Sequence, residues 1–454
     1  MAHKFDPEVC AKHLSGVVQF PTVSDHDEAN MDFETFFGMH RYLEETYPLV
    51  HKHLKKEVIG AAGLRYQWQG TGESGKLPLM FMAHQDVVPE GDHSKWKYPP
   101  YAGTIAEGYI WGRGASDCKS HLIAQMEAVE YLLSIGYQPS FDLYLAYGYN
   151  EEVGSGKGEA SCAQMISRLL ESRGVRFEGI LDEGGGLRAG KNVGVDVPVC
   201  MVIVAEKGYA DYEISRKDPG GHSSKPGKEG AMYHIAKAIM AIEENPFPYR
   251  ITETVKTRYE TLAPYMKEKK PELAELMTDI EGNWDKLVPM IDADRDLASM
   301  FHTTMAITMA SGSRQANILP EKASIVVNCR LLEGDTLETV EQHFKNILPE
   351  GLEVTLLQGN NPSPVSTYEC AFKDLIVEIS KDRESEMVAI PDITVGGTDA
   401  KFMYNLSDHV YRFSSFYKRS NAGGVHSVNE TMGVEDLASG PQFYVELVTR
   451  YGER

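Results

Sequence analysis

The stretch LPLMFMAHQD at positions 77–86 is a short apolar run that ends in a histidine and an aspartate. An apolar run of this length after a glycine-rich turn predicts a buried strand. The runs FDLYLAY (141–147) and EGILD (178–182) have the same character. A helical pattern closed by Gly136 lies between the first two runs. Strands that alternate with helices predict an α/β fold with a mostly parallel sheet.

The three predicted strands bring polar side chains to one edge of this sheet. His84 and Asp86 follow the first strand, Glu151 and Glu152 follow the second, and Asp182 ends the third. Ligands of open α/β sheets bind beyond the carboxyl ends of the strands. We therefore expect these side chains to converge on a single site.

The pattern changes from about Lys207, where the predicted elements follow the order βαββαβ. That order predicts a small antiparallel sheet with two helices on one face. A helical, charge-rich stretch at about 250–300 interrupts it. The sequence thus predicts a larger domain of residues 1–206 and 363–454, into which an α+β domain of residues 207–362 is inserted.

Composition excludes several kinds of partner. The chain has 454 residues, and its formal net charge of -21 repels phosphate backbones and anionic lipid surfaces. Neither nucleic acid nor a membrane is therefore expected as a partner. The six cysteines form no CxxC pair, and the first residues contain no apolar signal segment. We expect a cytoplasmic protein.

Each candidate site residue has an ordinary explanation when it is taken alone. A His-x-Asp pair such as His84 and Asp86 is common in surface loops, and Asp117 in GRGASD could simply cap a helix. The adjacent Glu151 and Glu152 are harder to dismiss, because neighbouring carboxylates repel each other unless a cation or a proton lies between them. The residues therefore have to be judged as a set.

Taken as a set, these residues contain the ligands of a two-metal site. The segment GGVHSVNE adds His426 as a second imidazole. Two cations that share one carboxylate need two further nitrogen or oxygen ligands each, and the set supplies these with one glutamate to spare. The spare glutamate can act as a base toward a water that the cations acidify. The sequence therefore predicts hydrolytic chemistry.

Nine motifs along nearly the whole chain fit one known pattern. They are HQDVVP, W-x-x-PPY-x-G, GYIWGRGASDCK, YNEEVGS, LDEGG, GGHSS, NILP, GGTDAK and GVHSVNE. In this order they resemble the dinuclear zinc peptidase family that includes carboxypeptidase S, aminoacylase, glutamate carboxypeptidase and succinyl-diaminopimelate desuccinylase. The W-x-x-PPY segment and the long insertion are most similar to the carboxypeptidase S-like branch.

The resemblance implies two zinc ions per chain and a ligand role for five residues. Asp117 would bridge the ions, His84 and Asp182 would bind one of them, and Glu152 and His426 would bind the other. Cobalt or manganese suits the same nitrogen and oxygen ligands.

The resemblance also implies catalytic roles. Glu151 would be the general base, and Asp86 would orient His84. His222 in GGHSS would polarise the scissile carbonyl from the inserted domain, which would act as a lid. In dimeric relatives this histidine comes from the partner subunit, so a homodimer through the lid is one expected arrangement.

Residues for substrate binding are implied at three further places. Asn317 in NILP and Gly397 and Thr398 in GGTDAK match positions that contact the substrate in the family. Several relatives hold the substrate carboxylate with an arginine shortly after the last strand of the lid, where this chain has none. Arg314 and Arg330 are the remaining candidates for that role.

We therefore expect a metal-dependent hydrolase that cleaves an amide bond next to a free carboxylate, as a carboxypeptidase or dipeptidase acting on short peptides. The alternative is an aminoacylase-type hydrolase of N-acyl amino acids. Two other classes stay open at this point. One is a serine hydrolase that uses Ser116 and Lys119 of the S-x-x-K sequence. The other is a non-catalytic protein that binds an amino-acid-like ligand.

Overall fold

The computed structural model describes residues 4–154, 160–417 and 423–454. The chain forms two compact units. The first comprises the described residues up to Val204 together with Ser366–Asp392 and Thr398–Arg454, and the second comprises Ala205–Val365 and Ile393–Gly397. The second unit overlaps the inserted domain that was expected at residues 207–362. That it acts as a lid stays a prediction.

Within the described residues the chain has thirteen α-helices. They are α1 Pro7–Val18, α2 Phe33–Thr46, α3 Pro48–His53, α4 Lys119–Ser134, α5 Cys162–Ser172, α6 Ala231–Glu244, α7 Glu253–Met266, α8 Pro271–Leu276, α9 Trp284–Asp292, α10 Arg295–Phe301, α11 Leu337–Ile347, α12 Ala371–Arg383 and α13 Val434–Glu453.

The same part of the chain contains eighteen strands. They are β1 Lys55–Ile59, β2 Gly63–Trp68, β3 Leu79–His84, β4 Thr104–Ala106, β5 Tyr109–Trp111, β6 Leu143–Gly148, β7 Gly179–Asp182, β8 Gly186–Arg188, β9 Val199–Glu206, β10 Gly208–Lys217, β11 Gly221–His222, β12 Thr304–Ser311, β13 Ile318–Leu319, β14 Lys322–Leu331, β15 Glu353–Asn360, β16 Val388–Thr394, β17 Val410–Arg412 and β18 Thr431–Gly433.

The main sheet has the order β1-β2-β6-β3-β7-β17-β9-β16, and β8 pairs with β9. Its central strands β6, β3, β7 and β17 run parallel to one another. The strands β1, β2 and β6 are joined by antiparallel pairing. This sheet confirms the prediction of an α/β fold with a mostly parallel sheet.

Strand β3 is covered on both faces, which explains its almost continuous apolar sequence. Leu79 and Phe81 pack in one core cluster with residues of α4 and α13. Met80 and Met82 point the opposite way, into a second cluster that includes residues of α5. The strand begins two residues later than the apolar run, after Pro78, which lacks the N–H group of a ladder donor.

The second unit contains a four-stranded antiparallel sheet in the order β12-β14-β10-β15. Alternate residues of β10 and β14 pack against helices α6 and α11 in one core cluster, through contacts that include Tyr212, Ile235, Val327 and Phe344. The elements β10, α6, β12, β14, α11 and β15 follow the order βαββαβ that the sequence indicates. Helices α7 to α10 occupy the stretch between α6 and β12, where a helical insertion was expected.

Two global features bear on the environment of the protein. All six cysteines are free thiols, and five of them are buried. Among the described helices, none combines the length and the apolar character that a membrane crossing requires.

Candidate metal centre

The carboxyl ends of three parallel strands place the predicted site residues on one edge of the main sheet. His84 ends β3 and lies opposite Gly148 at the end of β6, three residues before Glu151. Strand β7, which ends at Asp182, pairs with the other side of β3. The convergence that the sequence predicts therefore follows from the register of neighbouring strands.

The carboxylate of Asp117 lies between two imidazoles. Its Oδ1 is 3.0 Å from Nε2 of His84, and its Oδ2 is 3.2 Å from Nε2 of His426. Nε2 of His426 is also 2.9 Å from Oε2 of Glu152. Because each oxygen of one carboxylate faces a different imidazole, the geometry suits a carboxylate shared by two cations.

The pairing of β5 with β18 brings Asp117 and His426 together, although they are far apart in the sequence. Thr431 lies opposite Trp111 in this antiparallel ladder. The chain leaves β5 into the loop that contains Asp117, and the loop that enters β18 contains His426. The two loops are therefore neighbours, because β5 precedes the loop of Asp117, β18 follows the loop of His426, and these two strands are paired.

Asp86 is a buried carboxylate that orders the residues around it. Its Oδ1 accepts the main-chain N–H of Glu151 at 3.2 Å, and its Oδ2 accepts that of Glu152 at 3.1 Å. The hydroxyl of Ser24 donates to Oδ2 at 2.7 Å. Nδ1 of His84 lies 2.9 Å from the carbonyl oxygen of Asp86 and 3.4 Å from Oδ1. These contacts leave Nε2 of His84 turned toward Asp117.

Asp182 and Glu183 differ in what their carboxylates contact. The Oδ1 and Oδ2 of Asp182 accept main-chain N–H groups from Glu183 and Ala400, each at 2.9 Å. Oε1 of Glu183 lies 3.3 Å from Nε2 of His84. The geometry therefore favours Glu183 over the expected Asp182 as the acidic partner of His84. The resemblance implied a ligand role for Asp182, and the adjacent Glu183 of the LDEGG motif was not singled out.

Cys118 was not expected in the cluster. Ligand atoms of His84, Cys118 and Glu183 lie within 4.8 Å of one another, as do those of His84, Asp117 and Glu152. The buried thiol thus adds sulfur to a donor set of imidazoles and carboxylates, which are ligands that zinc accepts.

The acidic groups of the cluster are strongly perturbed. Burial raises the pKa of Glu151 well above its usual range, and the nearby carboxylates of Glu183 and Asp399 add to this effect. Burial likewise raises the pKa of Glu183 to about 8 and that of Asp399 to about 7. Carboxyl groups crowded in this way retain protons at neutral pH unless cations neutralise them.

The pKa values of the two imidazoles are also raised, which favours their charged forms. Hydrogen bonds to Asp117 and Glu152 raise the pKa of His426 to about 10. Burial opposes protonation of His84, but the negative charge of Glu183 and a hydrogen bond to Asp117 raise its pKa well above the usual range. Metal ions replace such protons when they bind, because ligands bind in their deprotonated forms. The donor set therefore fits a pair of divalent cations.

Several predicted substrate residues lie together in the second unit. His222, Arg314 and Asn317 line a pocket of about 600 Å³. His222 in β11 pairs with Ile318 in β13, and the N–H of Ser223 donates to the carbonyl of Asn317 at 3.0 Å. Nδ1 of His222 lies 2.8 Å from Oγ of Ser224. This short ladder fixes the spacing of His222 and Asn317.

The remaining predicted substrate residues have other surroundings. Nη1 of Arg330 donates to the carbonyl of Val395 at 3.0 Å, and its guanidinium lies over the ring of Tyr209 at 4.6 Å. Gly397 is exposed and follows Val395 by two residues within the second unit. Thr398 belongs to the first unit, where its hydroxyl accepts a hydrogen bond from Nε of Arg412 at 3.3 Å.

Lys119 and Ser116, the residues of the serine hydrolase alternative, both have hydrogen-bond partners. Nζ of Lys119 donates to the carbonyl groups of Val17 and Phe20 at 3.1 and 2.7 Å. The N–H of Ser116 donates to Oε1 of Glu430 at 2.8 Å. The Lys119 contacts link the start of α4 to the segment of Val17 and Phe20, and the Ser116 contact links the loop of Asp117 to Glu430.

Known proteins are similar to this chain over almost its whole length. Carboxypeptidase S of Saccharomyces cerevisiae is 33% identical, and the alignment covers 97% of this chain and 84% of the yeast protein. N-fatty-acyl-amino acid synthase/hydrolase PM20D1 of Mus musculus is 30% identical, with 96% and 86% covered. The crystal structure of a family M20 metallo-carboxypeptidase from Sulfolobus solfataricus matches with a TM-score of 0.70 and 18% identity, covering 98% of this chain and 99% of that one.

A family model also matches most of the chain. Residues 80–450 match the description Peptidase family M20/M25/M40. This match confirms the resemblance stated from the motifs and the prediction of a metallopeptidase-type hydrolase, and it replaces the serine hydrolase alternative. The similar proteins include a carboxypeptidase, which agrees with the first interpretation, and an N-fatty-acyl-amino acid synthase/hydrolase, which agrees with the alternative. The chain belongs to the peptidase family M20/M25/M40.

Proposed function

We propose that the chain is a hydrolase with two zinc ions that share the carboxylate of Asp117. The supporting observation is that the two oxygens of Asp117 face His84 and His426 at 3.0 and 3.2 Å. Glu183 completes the ligands of the ion at His84, in place of the expected Asp182, and Glu152 completes those of the ion at His426. Cobalt and manganese are the other metals that suit these donors.

Bound zinc ions supply positive charge that polarises an amide carbonyl and lowers the pKa of a water. Glu151 then takes a proton from the attacking water and later delivers it to the departing amine. Between the two steps the carboxyl group of Glu151 holds this proton. Asp86 keeps Glu151 in place through the main-chain N–H group.

The substrate we propose is a short peptide with a free carboxylate next to the bond that is cut. The pocket with His222, Arg314 and Asn317 supports this proposal, because it combines the guanidinium of Arg314 with the hydrogen-bonding side chains of His222 and Asn317. His222 would donate to the carbonyl oxygen and to the oxyanion that forms from it. Arg314 and Arg330 are the two candidates for the carboxylate, while Gly397 and Thr398 would line the substrate site.

The second candidate function is hydrolysis of N-acyl amino acids, which the similarity to the N-fatty-acyl-amino acid synthase/hydrolase of Mus musculus supports. Both substrates present an amide beside a carboxylate, so the same metal centre serves either one. They differ in the group on the other side of the amide, which is polar in a peptide and apolar in a fatty acyl chain.

A direct test compares matched substrates after controlled metal loading. The purified chain is stripped with a chelator, reloaded with zinc, cobalt or manganese, and offered N-blocked dipeptides, free dipeptides and N-acyl amino acids. C-terminal amides of the same compounds serve as controls. We expect activity to disappear with the metal, to return with zinc and to be absent on the amides. If every substrate stays intact with zinc bound, the chain is a binding protein and the proposal is wrong.

Two further features belong to the proposal. A cytoplasmic location is supported by the six free thiols, which suit a reducing compartment. A homodimer formed through the second unit follows from the resemblance to dimeric relatives. Sedimentation of the purified chain and fractionation of cells that express it test these two points separately.

A further inference from the structure

Glu430 is a buried carboxylate that accepts four hydrogen bonds from the loop that contains Asp117. Its side chain is fully buried. Oε1 accepts the N–H groups of Ser116 at 2.8 Å and Asp117 at 3.0 Å. Oε2 accepts Nη1 of Arg113 at 2.8 Å and the N–H of Gly114 at 3.1 Å. A carboxylate offers about four acceptor positions, and these four donors occupy them.

The same residue belongs to the segment that contains His426. Glu430 directly precedes β18, and its carbonyl accepts the N–H of Gly112 at 3.0 Å. Nη1 of Arg113 also donates to the carbonyl of Ser427 at 3.2 Å, next to His426. In each of these contacts the loop of Asp117 supplies the donor and the loop of His426 supplies the acceptor.

We propose that Glu430 is a positioning residue that sets the distance between Asp117 and His426 and thereby the affinity of the ion they share. This inference rests on the proposed dinuclear site. Glu430 contacts the main chain of Asp117 and lies outside the set of proposed ligands. We expect it to act on the ion at Asp117, Glu152 and His426 more than on the ion at His84 and Glu183, because Glu430 and His426 share a loop, whereas His84 ends β3 and Glu183 directly follows β7.

The variant Glu430→Gln tests this role with little change in volume. The amide keeps one acceptor oxygen, but its NH2 group faces two of the four donors, so the loop has to shift. Loss of a group that holds a metal ligand in place typically lowers metal affinity by about 10- to 100-fold. We expect a loss of that size for the ion at His426, and a smaller one for the ion at His84.

The measurement is a competition titration of the metal-free chain with zinc and a chromophoric chelator, which resolves two binding steps. His426→Ala identifies the step that belongs to the ion at His426, since that step disappears. Turnover of Glu430→Gln is followed as free zinc is raised. We expect it to recover toward the wild-type value, which damage to the fold alone would not allow.

Asp335→Asn provides a matched control in the second unit. Asp335 is also buried, and it accepts hydrogen bonds from Nη1 of Arg250 at 2.8 Å and from the hydroxyl of Thr303. We expect this variant to lower the melting temperature of the metal-free chain while leaving both zinc steps unchanged.

The outcomes separate the two proposals. If Glu430→Gln lowers the melting temperature but leaves both zinc steps as in the wild type, the positioning role is wrong and the dinuclear site stands. A wild-type chain that binds no zinc refutes the dinuclear site itself. If Glu430→Gln does not fold, Arg113→Lys replaces it. We expect the same order of effects at a smaller size, and equal weakening of both steps would overturn the positioning role.

Discussion

The carboxylate of Asp86 accepts the main-chain N–H of Glu151 through one oxygen and that of Glu152 through the other, at 3.2 and 3.1 Å. Two neighbouring glutamates with different proposed tasks are thus fixed by one buried group. The same aspartate contacts His84 through its carbonyl oxygen. The proposed base and two proposed metal ligands therefore share a single support.

Glu151→Gln separates proton transfer from metal binding. The amide keeps the size of the side chain and the main-chain contact to Asp86, but it cannot accept a proton from water. We expect zinc content close to the wild-type value and turnover lower by about 10²- to 10⁴-fold, the usual contribution of a general base. Metal analysis and steady-state kinetics check both parts. Glu45→Gln, at an exposed position, is the control. Unchanged turnover in Glu151→Gln would refute the base assignment.

The choice between Asp182 and Glu183 is open to a direct comparison. Glu183→Gln removes a carboxylate that lies 3.3 Å from Nε2 of His84. We therefore expect it to lower the affinity for one zinc ion by at least about tenfold. Asp182→Asn breaks one of two hydrogen bonds to main-chain N–H groups, so we expect a stability loss of about 1–3 kcal/mol with zinc content retained. Zinc titration and thermal unfolding distinguish them. The reverse pattern would restore the ligand role that the sequence suggested for Asp182.

Glu57 should make the free energy of unfolding of the chain depend on pH in the acidic range. Hydrogen bonds from Arg173 and the charge of the buried Arg65 lower the pKa of Glu57 to about 2. A depressed folded-state pKa stabilises the fold above the ordinary pKa of the carboxyl, and this contribution is lost as the pH falls from about 4.5 toward 2. With solvent screening considered, we expect about 1–2 kcal/mol.

Urea unfolding of the wild type and of Glu57→Gln between pH 7 and pH 2 measures this contribution. The two midpoints should differ above pH 5, and the difference should shrink as the carboxyl becomes protonated. A difference that stays constant down to pH 2 would mean that the charge of Glu57 is not its source.

The carboxylate of the substrate distinguishes Arg314 from Arg330. Replacing the arginine that holds it by alanine should raise KM by about 10- to 100-fold, since a charge-assisted bidentate contact is lost. Replacing an arginine that does not bind the carboxylate should leave KM for the free acid close to the wild-type value. Steady-state kinetics of Arg314→Ala and Arg330→Ala on the free-acid substrate give the assignment. If neither variant discriminates, another group binds the carboxylate.

Convergence of the metal centre could be predicted because it depends on local patterns. Apolar runs that end in His84 and Asp182, and a third that precedes Glu151, identify strands, and neighbouring parallel strands end at the same edge of a sheet. Neither relationship requires knowledge of distant contacts. The structure adds the register, in which His84 lies opposite Gly148.

Two features could not be predicted in the same way. Asp182 and Glu183 are adjacent carboxylates, and only the positions of main-chain N–H groups such as that of Ala400 show which one is already engaged. Glu430 appears in the sequence as one more acidic residue of a loop. Its contacts depend on the pairing of β5 with β18, which joins parts of the chain that no local pattern relates.

The pairing of β5 with β18 also has a consequence for the order in which the site forms during translation. Asp117, the proposed bridging ligand, emerges from the ribosome long before His426, and β18, which follows His426, comes later still. Until His426 is made, a chain that is still being translated lacks one of the five proposed zinc ligands. The proposed two-metal site can therefore form only after β18 has been made and has paired with β5.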